Sequence, residues 1–365
     1  MHWHHYVNDR ILPWKQENDP YKIWLSEIIL QQTRAEQGKA YYVSFIHHYP
    51  DVHQLADAAV DEVYKLWQGL GYYNRCANML KAAHIISRER NGIFPDTYER
   101  ILDLPGVGPY TAAAIASFAF GLPYAVLDGN VYRVLARYFG IREPIDTSAG
   151  KKIIADLAAK MLDRSHPAGY NQAIMDLGAT VCMPKNPKCE LCPVQSGCYA
   201  FHHSEPRLYP VKVKKIVVAE RHFHYILIHR GGAIYMECRQ NDDIWKQLYQ
   251  PYLIEKGHAK ALQTEELPEY LQEYSITYLE SFRQRLTHRL IHSHWYLIEV
   301  AKDFRMPRGK GSFYGPEKIK KLALPKSIFS IMSKKKLFLV LRIKNYRQNE
   351  RYQQSNFGRK YRQGP

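Results

Sequence analysis

Residues 24–33, WLSEIILQQT, set a single carboxylate, Glu27, among aliphatic side chains. Ile23 lies four residues before it and Leu30 three after, so the three share one face of a helix. An ionised carboxylate on such a face is costly unless something pairs with it. Apolar surroundings raise the pKa of a carboxyl, leaving it protonated often enough to act as a proton donor. A second chemical signal is CMPKNPKCELCPVQSGC, in which Cys182, Cys189, Cys192 and Cys198 leave gaps of six, two and five residues. Four thiolates on one short, Pro-rich loop can close around one compact inorganic centre, either an iron–sulfur cluster or a tetrahedral zinc. The third is LPGVGPYTAAAI (104–115), a turn between two helices in which Gly106 and Gly108 lack a Cβ. Such a turn lets backbone N–H groups at the start of the second helix approach a phosphate oxygen, although helical hairpins also end in Gly and Pro with no ligand present.

These groups need elements to hold them. Residues 20–180 run through amphipathic segments bounded by Asp, Pro or Gly, which reads as an all-α domain. Asp128, in VLDGNVYRVLARYFG, stands where a helix N-cap belongs. Past the cysteines the texture changes: EPRLYPVKVKK (205–215) carries two prolines and several cations and reads as a linker. HYILIH and AIYMEC flank RGG as a β-hairpin, HWYLIEV (294–300) is a further strand, and EELPEYLQEY predicts a helix, so the second domain is α+β. The expected organisation is an all-α domain over 1–205, a linker at 206–215, an α+β domain over 216–332 and a basic, disordered tail at 333–365. No internal repeat is present.

Lys and Arg outnumber Asp and Glu by 51 to 35, and the resulting net charge of +16 suits a polyanionic partner. Ten of these cations against one acid fall from Ser333 onward, so the body is only moderately basic. The longest apolar stretch, 112–127, is interrupted by Gly121 and Pro123 and is too short to span a bilayer, and the N-terminus has no signal-type apolar core. A soluble, cytoplasmic protein is expected, nucleoid-associated if bacterial, with no membrane partner. Four of the six cysteines crowd into residues 182–198, which in a reducing compartment points to a metal site rather than disulfides. The histidine-rich stretches HWHH, HFH and HSH have no Cys or acid at ligand spacing and read as surface or core histidines.

LPWKQENDPYKIWLSEIILQQT, WQGLGYYNRCANMLKAA, LPGVGPYTAAAI, LDGNVYRVLAR, GYNQAIMDLGATVC and the cysteine loop follow one another over most of residues 10–200. Together they resemble the adenine DNA glycosylase family, MutY, of the endonuclease III-like helix-hairpin-helix superfamily. The resemblance implies a [4Fe–4S] cluster on Cys182, Cys189, Cys192 and Cys198. It implies that Glu27 protonates adenine N7 and then helps to activate water, that Asp128 stabilises the positive sugar, and that Tyr110 hydrogen-bonds nearby. Strand-cleaving members of the superfamily carry Lys where this chain has Tyr110, and a phenol cannot form a Schiff base, so a monofunctional enzyme is implied. It also implies that Gln32, Thr33, Leu70 and Tyr72 enter the duplex around an extruded base, that Gly106 and Gly108 hold phosphate, and that Pro13, Trp14, Lys15 and Gln172 line or adjoin the adenine pocket.

For residues 216–332 the resemblance implies a Nudix-like domain that reads 8-oxoguanine, with Leu286, Thr287 and His288 in place of the family's Phe-Ser-His loop. The Leu departs from the usual aromatic, while Thr287 can still hydrogen-bond. No G-x5-E-x7-R-E-x-x-E-E arrangement occurs, so this domain is expected to be a reader and not a second enzyme. The implied activity is that of a monomer acting on double-stranded DNA with A opposite 8-oxoguanine or G. The rival readings are a glycosylase of the same superfamily acting on another mismatched base, such as thymine, and an inactive DNA-binding paralogue.

Overall fold

The structure is a computed structural model that describes residues 1–15, 17–213, 217–240, 242–307 and 311–333. The expected tail, apart from Ser333, and residues 214–215 of the expected linker lie outside the described residues. The chain divides into two compact units, Met1–Ala59 with Asn74–Lys215, and Val60–Tyr73 with Ile216–Pro365.

The first unit is helical: α1 (His2–Tyr6), α2 (Pro20–Leu30), α3 (Ala35–His48) and α4 (Val52–Asp57) precede α5 (Val60–Trp67), which groups with the second unit. Then follow α6 (Asn74–His84), α7 (Tyr98–Leu102), α8 (Pro109–Phe120), α9 (Gly129–Phe139), α10 (Ser148–Met161), α11 (Pro167–Thr180) and α12 (Tyr199–His202). Helix α2 starts at Asp19, whose Oδ1 accepts from the Tyr21 N–H at 2.9 Å, with Pro20 at the first helical position. Trp24, Leu25, Ile28 and Ile29 are each at most 1 % exposed, so α2 is buried all round rather than along one stripe. It packs on α8, and α9 packs on α11, where Gly178 lets the start of α9 approach: a Cβ there would lie 2.5 Å from Asn130 Cβ.

The second unit is built on a mixed sheet. Strands β1 (Ala219–Arg230) and β2 (Ala233–Cys238) form the expected hairpin, and Gly231 and Gly232 supply its turn with φ of +53° and +88°. β3 (Tyr249–Gln250), β4 (Tyr252–Lys256), β5 (Ile276–Arg285), β6 (Arg289–Glu299) and β7 (Gly311–Tyr314) complete it in the order β3-β2-β1-β6-β5, with β4 on β1 and β7 on β2. β1 and β6 are parallel, and all other pairs are antiparallel. Ile226, Ile228, Tyr296 and Ile298 of these two strands pack with Leu267 and Leu271, the latter on the short helix α13 (Glu269–Gln272) that falls within the stretch expected to be helical. Helices α14 (Pro316–Lys321) and α15 (Lys326–Met332) close the described part.

Helix α5 was expected in the first domain. Instead Lys65 Nζ donates to Leu322 O at 3.0 Å and lies over the Phe329 ring, and Gln68 Oε1 accepts from the Leu324 N–H at 3.4 Å. Partners some 250 residues apart leave no mark on local periodicity.

Candidate active site

The first unit holds a cavity of about 390 Å³, a size in the range of ligand pockets. Glu27 from α2, Tyr110 from α8 and Asp128 from the N-terminus of α9 all line it, as do Trp14, Lys15, Thr33 and Gln172. Pro13 does not line this cavity.

Glu27 is 5 % exposed, accepts a hydrogen bond from the Tyr110 phenol, and leaves its Oε2 buried without a partner. Burial pushes its pKa up to about 7, the Asp128 charge adds to the rise, and the Tyr110 hydrogen bond opposes it. Burial likewise lifts Asp128 above the usual carboxylate value, but here three donors favour the anion. Oδ1 accepts from the amides of Val131 at 2.7 Å and Asn130 at 2.9 Å, and Oδ2 from Asn130 Nδ2 at 2.6 Å. Asp128 is therefore both the N-cap of α9 and a lining group of the cavity. Burial and the two carboxylates hold Tyr110 well above the ordinary phenol range, so it remains a donor.

Three buried residues that position this site escape a reading by sequence. Asp176, 0 % exposed on α11, accepts from Lys15 Nζ at 2.6 Å, Asn8 Nδ2 at 2.8 Å and Arg10 Nη1 at 2.9 Å, fixing the N-terminal segment that carries Trp14. Arg75 Nη1 donates to the carbonyls of Ile28, Ile29 and Gln31, capping the C-terminal end of α2 with a cation. Asn171 joins Val126, Tyr124 and Ser117, which steadies the segment leading to Asp128.

The end of α2 is tied to the hairpin turn: Gln31 Nε2 donates to Gly106 O at 3.2 Å and Thr111 Oγ1 at 3.1 Å. Gln32 is exposed with a φ of +55°, and Thr33 Oγ1 accepts from Arg75 Nη2 at 3.3 Å. Gly106 is required by the fold, because its φ is +79° and a Cβ would meet Asn78 Cβ at 2.7 Å. Gly108 caps α8 with open space where its Cβ would be, leaving room for a group to approach the helix N-terminus. In the second unit Tyr72 is 44 % exposed, has a φ of +47°, and hydrogen-bonds through its OH with Thr287 Oγ1. Thr287 and His288 are exposed at the turn between β5 and β6. Leu70, also expected at the duplex, is buried, at 6 % exposure.

Cys182, Cys189, Cys192 and Cys198 are free and line one recess, with Arg137 Nη1 donating to Cys182 Sγ at 3.3 Å. Arg133 and Arg137, one turn apart on α9, also donate to the carbonyls of Cys182, Met183 and Pro184. Burial raises the pKa of Cys189 and Cys192, and neighbouring thiols add to the rise. The thiols of these four residues, gathered in one recess, are the donor set of a [4Fe–4S] cluster, which they would hold.

Among the described residues no helix is long and apolar enough to cross a membrane. Residues 25–160 match the HhH-GPD superfamily base excision DNA repair proteins, and residues 182–198 the iron–sulfur binding domain of endonuclease III. The adenine DNA glycosylase of Buchnera aphidicola subsp. Baizongia pistaciae is 32% identical over 348 residues, covering 93% of this chain and 96% of that protein. The adenine DNA glycosylase of Homo sapiens is 41% identical over 205 residues, covering 54% of this chain and 38% of that protein. A solved thermostable thymine-DNA glycosylase superposes with a TM-score of 0.51 at 31% identity, over 55% of this chain and 92% of that one. With a cavity lined by two carboxylates, a cysteine loop shaped for an iron–sulfur cluster and a relative matched along nearly the whole of both chains, this chain belongs to the adenine DNA glycosylase family and is a DNA glycosylase of base excision repair.

Proposed function

We propose that the protein hydrolyses the N-glycosidic bond of adenine mispaired with 8-oxoguanine, or with G, in double-stranded DNA, as a monomer and without cutting the strand. The observation that carries this reading is Glu27, a buried carboxyl with a pKa raised to about 7, in one cavity with Asp128. An adenine extruded from the stack occupies that cavity, which Trp14 and Gln172 help to line. Glu27 gives its proton to N7, the C1′–N9 bond breaks with its electrons passing to the base, and the sugar is left as an oxocarbenium-like cation. The Asp128 anion, fixed by three donors, faces that cation. Glu27, now ionised, takes a proton from the water that attacks C1′, which regenerates the acid and yields an abasic site. Tyr110 supplies a hydrogen bond and no amine, which supports hydrolysis over lyase chemistry.

The α+β second unit supports a Nudix-like reader of the opposite base. Tyr72 and Thr287, both expected at DNA, are joined by a hydrogen bond, and Thr287 and His288 project at one exposed turn. A thymine opposite G is the second reading, since a solved relative matched over 55% of this chain is a thymine-DNA glycosylase. Relatives covering both units are named for adenine, which favours the first. A single-turnover assay compares a duplex holding one A opposite 8-oxoguanine with one holding T opposite G. Rapid loss of adenine, with strand scission only after added alkali, is expected. Faster loss of thymine, or scission without alkali together with a borohydride-trapped adduct, contradicts the proposal.

A further inference from the structure

The second unit carries a row of imidazoles that glycosidic chemistry does not use. In the parallel pairing of β1 with β6, His222 stands opposite His292 and His224 opposite His294. Residues at paired positions share a face, so HFH and HSH, far apart in the chain, interleave into one ladder. Ring centroids are 4.6 Å apart for His222 and His292, 4.7 Å for His224 and His294, and 6.0 Å for His222 and His294. Glu220, two residues before His222 on the same face, brings Oε2 to 3.0 Å from His292 Nε2. One ligand atom from each of Glu220, His222 and His292 lies within 4.8 Å of the others. His222 Nδ1 and His294 Nε2 are buried with no hydrogen-bond partner, a state that folded proteins rarely leave without a reason.

Charge narrows the ligand. Lys256 stands opposite His222 on β4 and is ion-paired with Glu266, Arg283 stands opposite His292 on β5, and His258 acts on His222 from beyond β4. With cations on both flanks and one carboxylate, the cluster lacks the oxygen donors that calcium or magnesium requires. Imidazole nitrogens with a carboxylate suit a borderline ion such as Zn²⁺.

We infer that Glu220, His222 and His292 form a binding site for one divalent transition ion of the zinc type on the sheet of the second unit, with His294 the nearest ring to supply a fourth ligand. The site is distinct from the cysteine loop in position and in donor type. The reading by sequence set these histidines aside for want of an acid at ligand spacing and so passed over Glu220, two residues before His222; the parallel strand pairing then adds His292 to that pair.

The test uses the full chain carrying its iron–sulfur cluster, dialysed against micromolar free Zn²⁺, with zinc and iron per chain measured by mass spectrometry. One zinc per chain beyond the cluster iron is expected, unchanged by a control that replaces the exposed pair His47 and His48 with Ala. Glu220→Gln, at an exposed position, is expected to weaken zinc at least about tenfold, since even an outer partner of a metal site is worth about 10–100-fold. The combined His222→Ala and His292→Ala variant is expected to abolish zinc binding, with cluster absorbance and circular dichroism confirming the fold. Absence of zinc from the wild type, or zinc retained at full affinity by Glu220→Gln and by the histidine variant alike, would overturn the inference.

Discussion

At the scale of single residues, Glu27 and Asp128 share a cavity but not an environment. Asp128 receives three donors, while Glu27 has one phenol and an unpartnered oxygen. The folded pKa of Glu27, about 7, lies above its ordinary 4.5, so the folded state holds a proton that the unfolded chain releases as pH rises. The resulting stability cost is absent below the lower value, grows between the two and is complete above the upper, where it reaches about 3 kcal/mol. Glu27→Gln removes the ionisable group. The variant should therefore melt several degrees above wild type near pH 8 and close to it near pH 5; equal melting temperatures at both pH values would mean that Glu27 is not held in this state. The sequence showed Glu27 because its face is apolar over one helical turn. It hid Asp176 and Arg75, whose partners lie across the fold: Asp176 meets Lys15, and Arg75 meets the end of α2.

At the scale of elements, α9 joins two chemistries. Its first residue is capped by Asp128, and Arg133 and Arg137 on its flank bind the carbonyls and one sulfur of the cysteine loop. A loose loop would free the flank of α9 and with it the cap. Arg137→Met should lose iron to a chelator faster than wild type, and excision should fall in step with iron content; unchanged iron release would separate the helix from the cluster. The β1–β2 hairpin was legible because Gly-Gly marks a turn with positive φ at both positions. The parallel pairing of β1 with β6 was not, since strands paired over a long separation carry no local signal of their register.

At the scale of the whole molecule, helical and sheet-rich halves were readable from the change of period after the cysteine loop. The transfer of Val60–Tyr73 to the second unit was not, because it rests on contacts with the C-terminal helices and their linking turns. Two exposed residues expected at DNA, Tyr72 and Thr287, thereby come together, while Leu70 is withdrawn into the interior. In the proposed function, recognition of the opposite base and excision of adenine belong to separate units, and the whole account turns on the acid in the first. The most direct measurement is single-turnover excision from a duplex with A opposite 8-oxoguanine by wild type and Glu27→Gln, with duplex affinity measured alongside. The account predicts an affinity within a few-fold of wild type and a rate lower by about 10²–10⁴; a variant that binds the duplex and still releases adenine at near wild-type rate would contradict it.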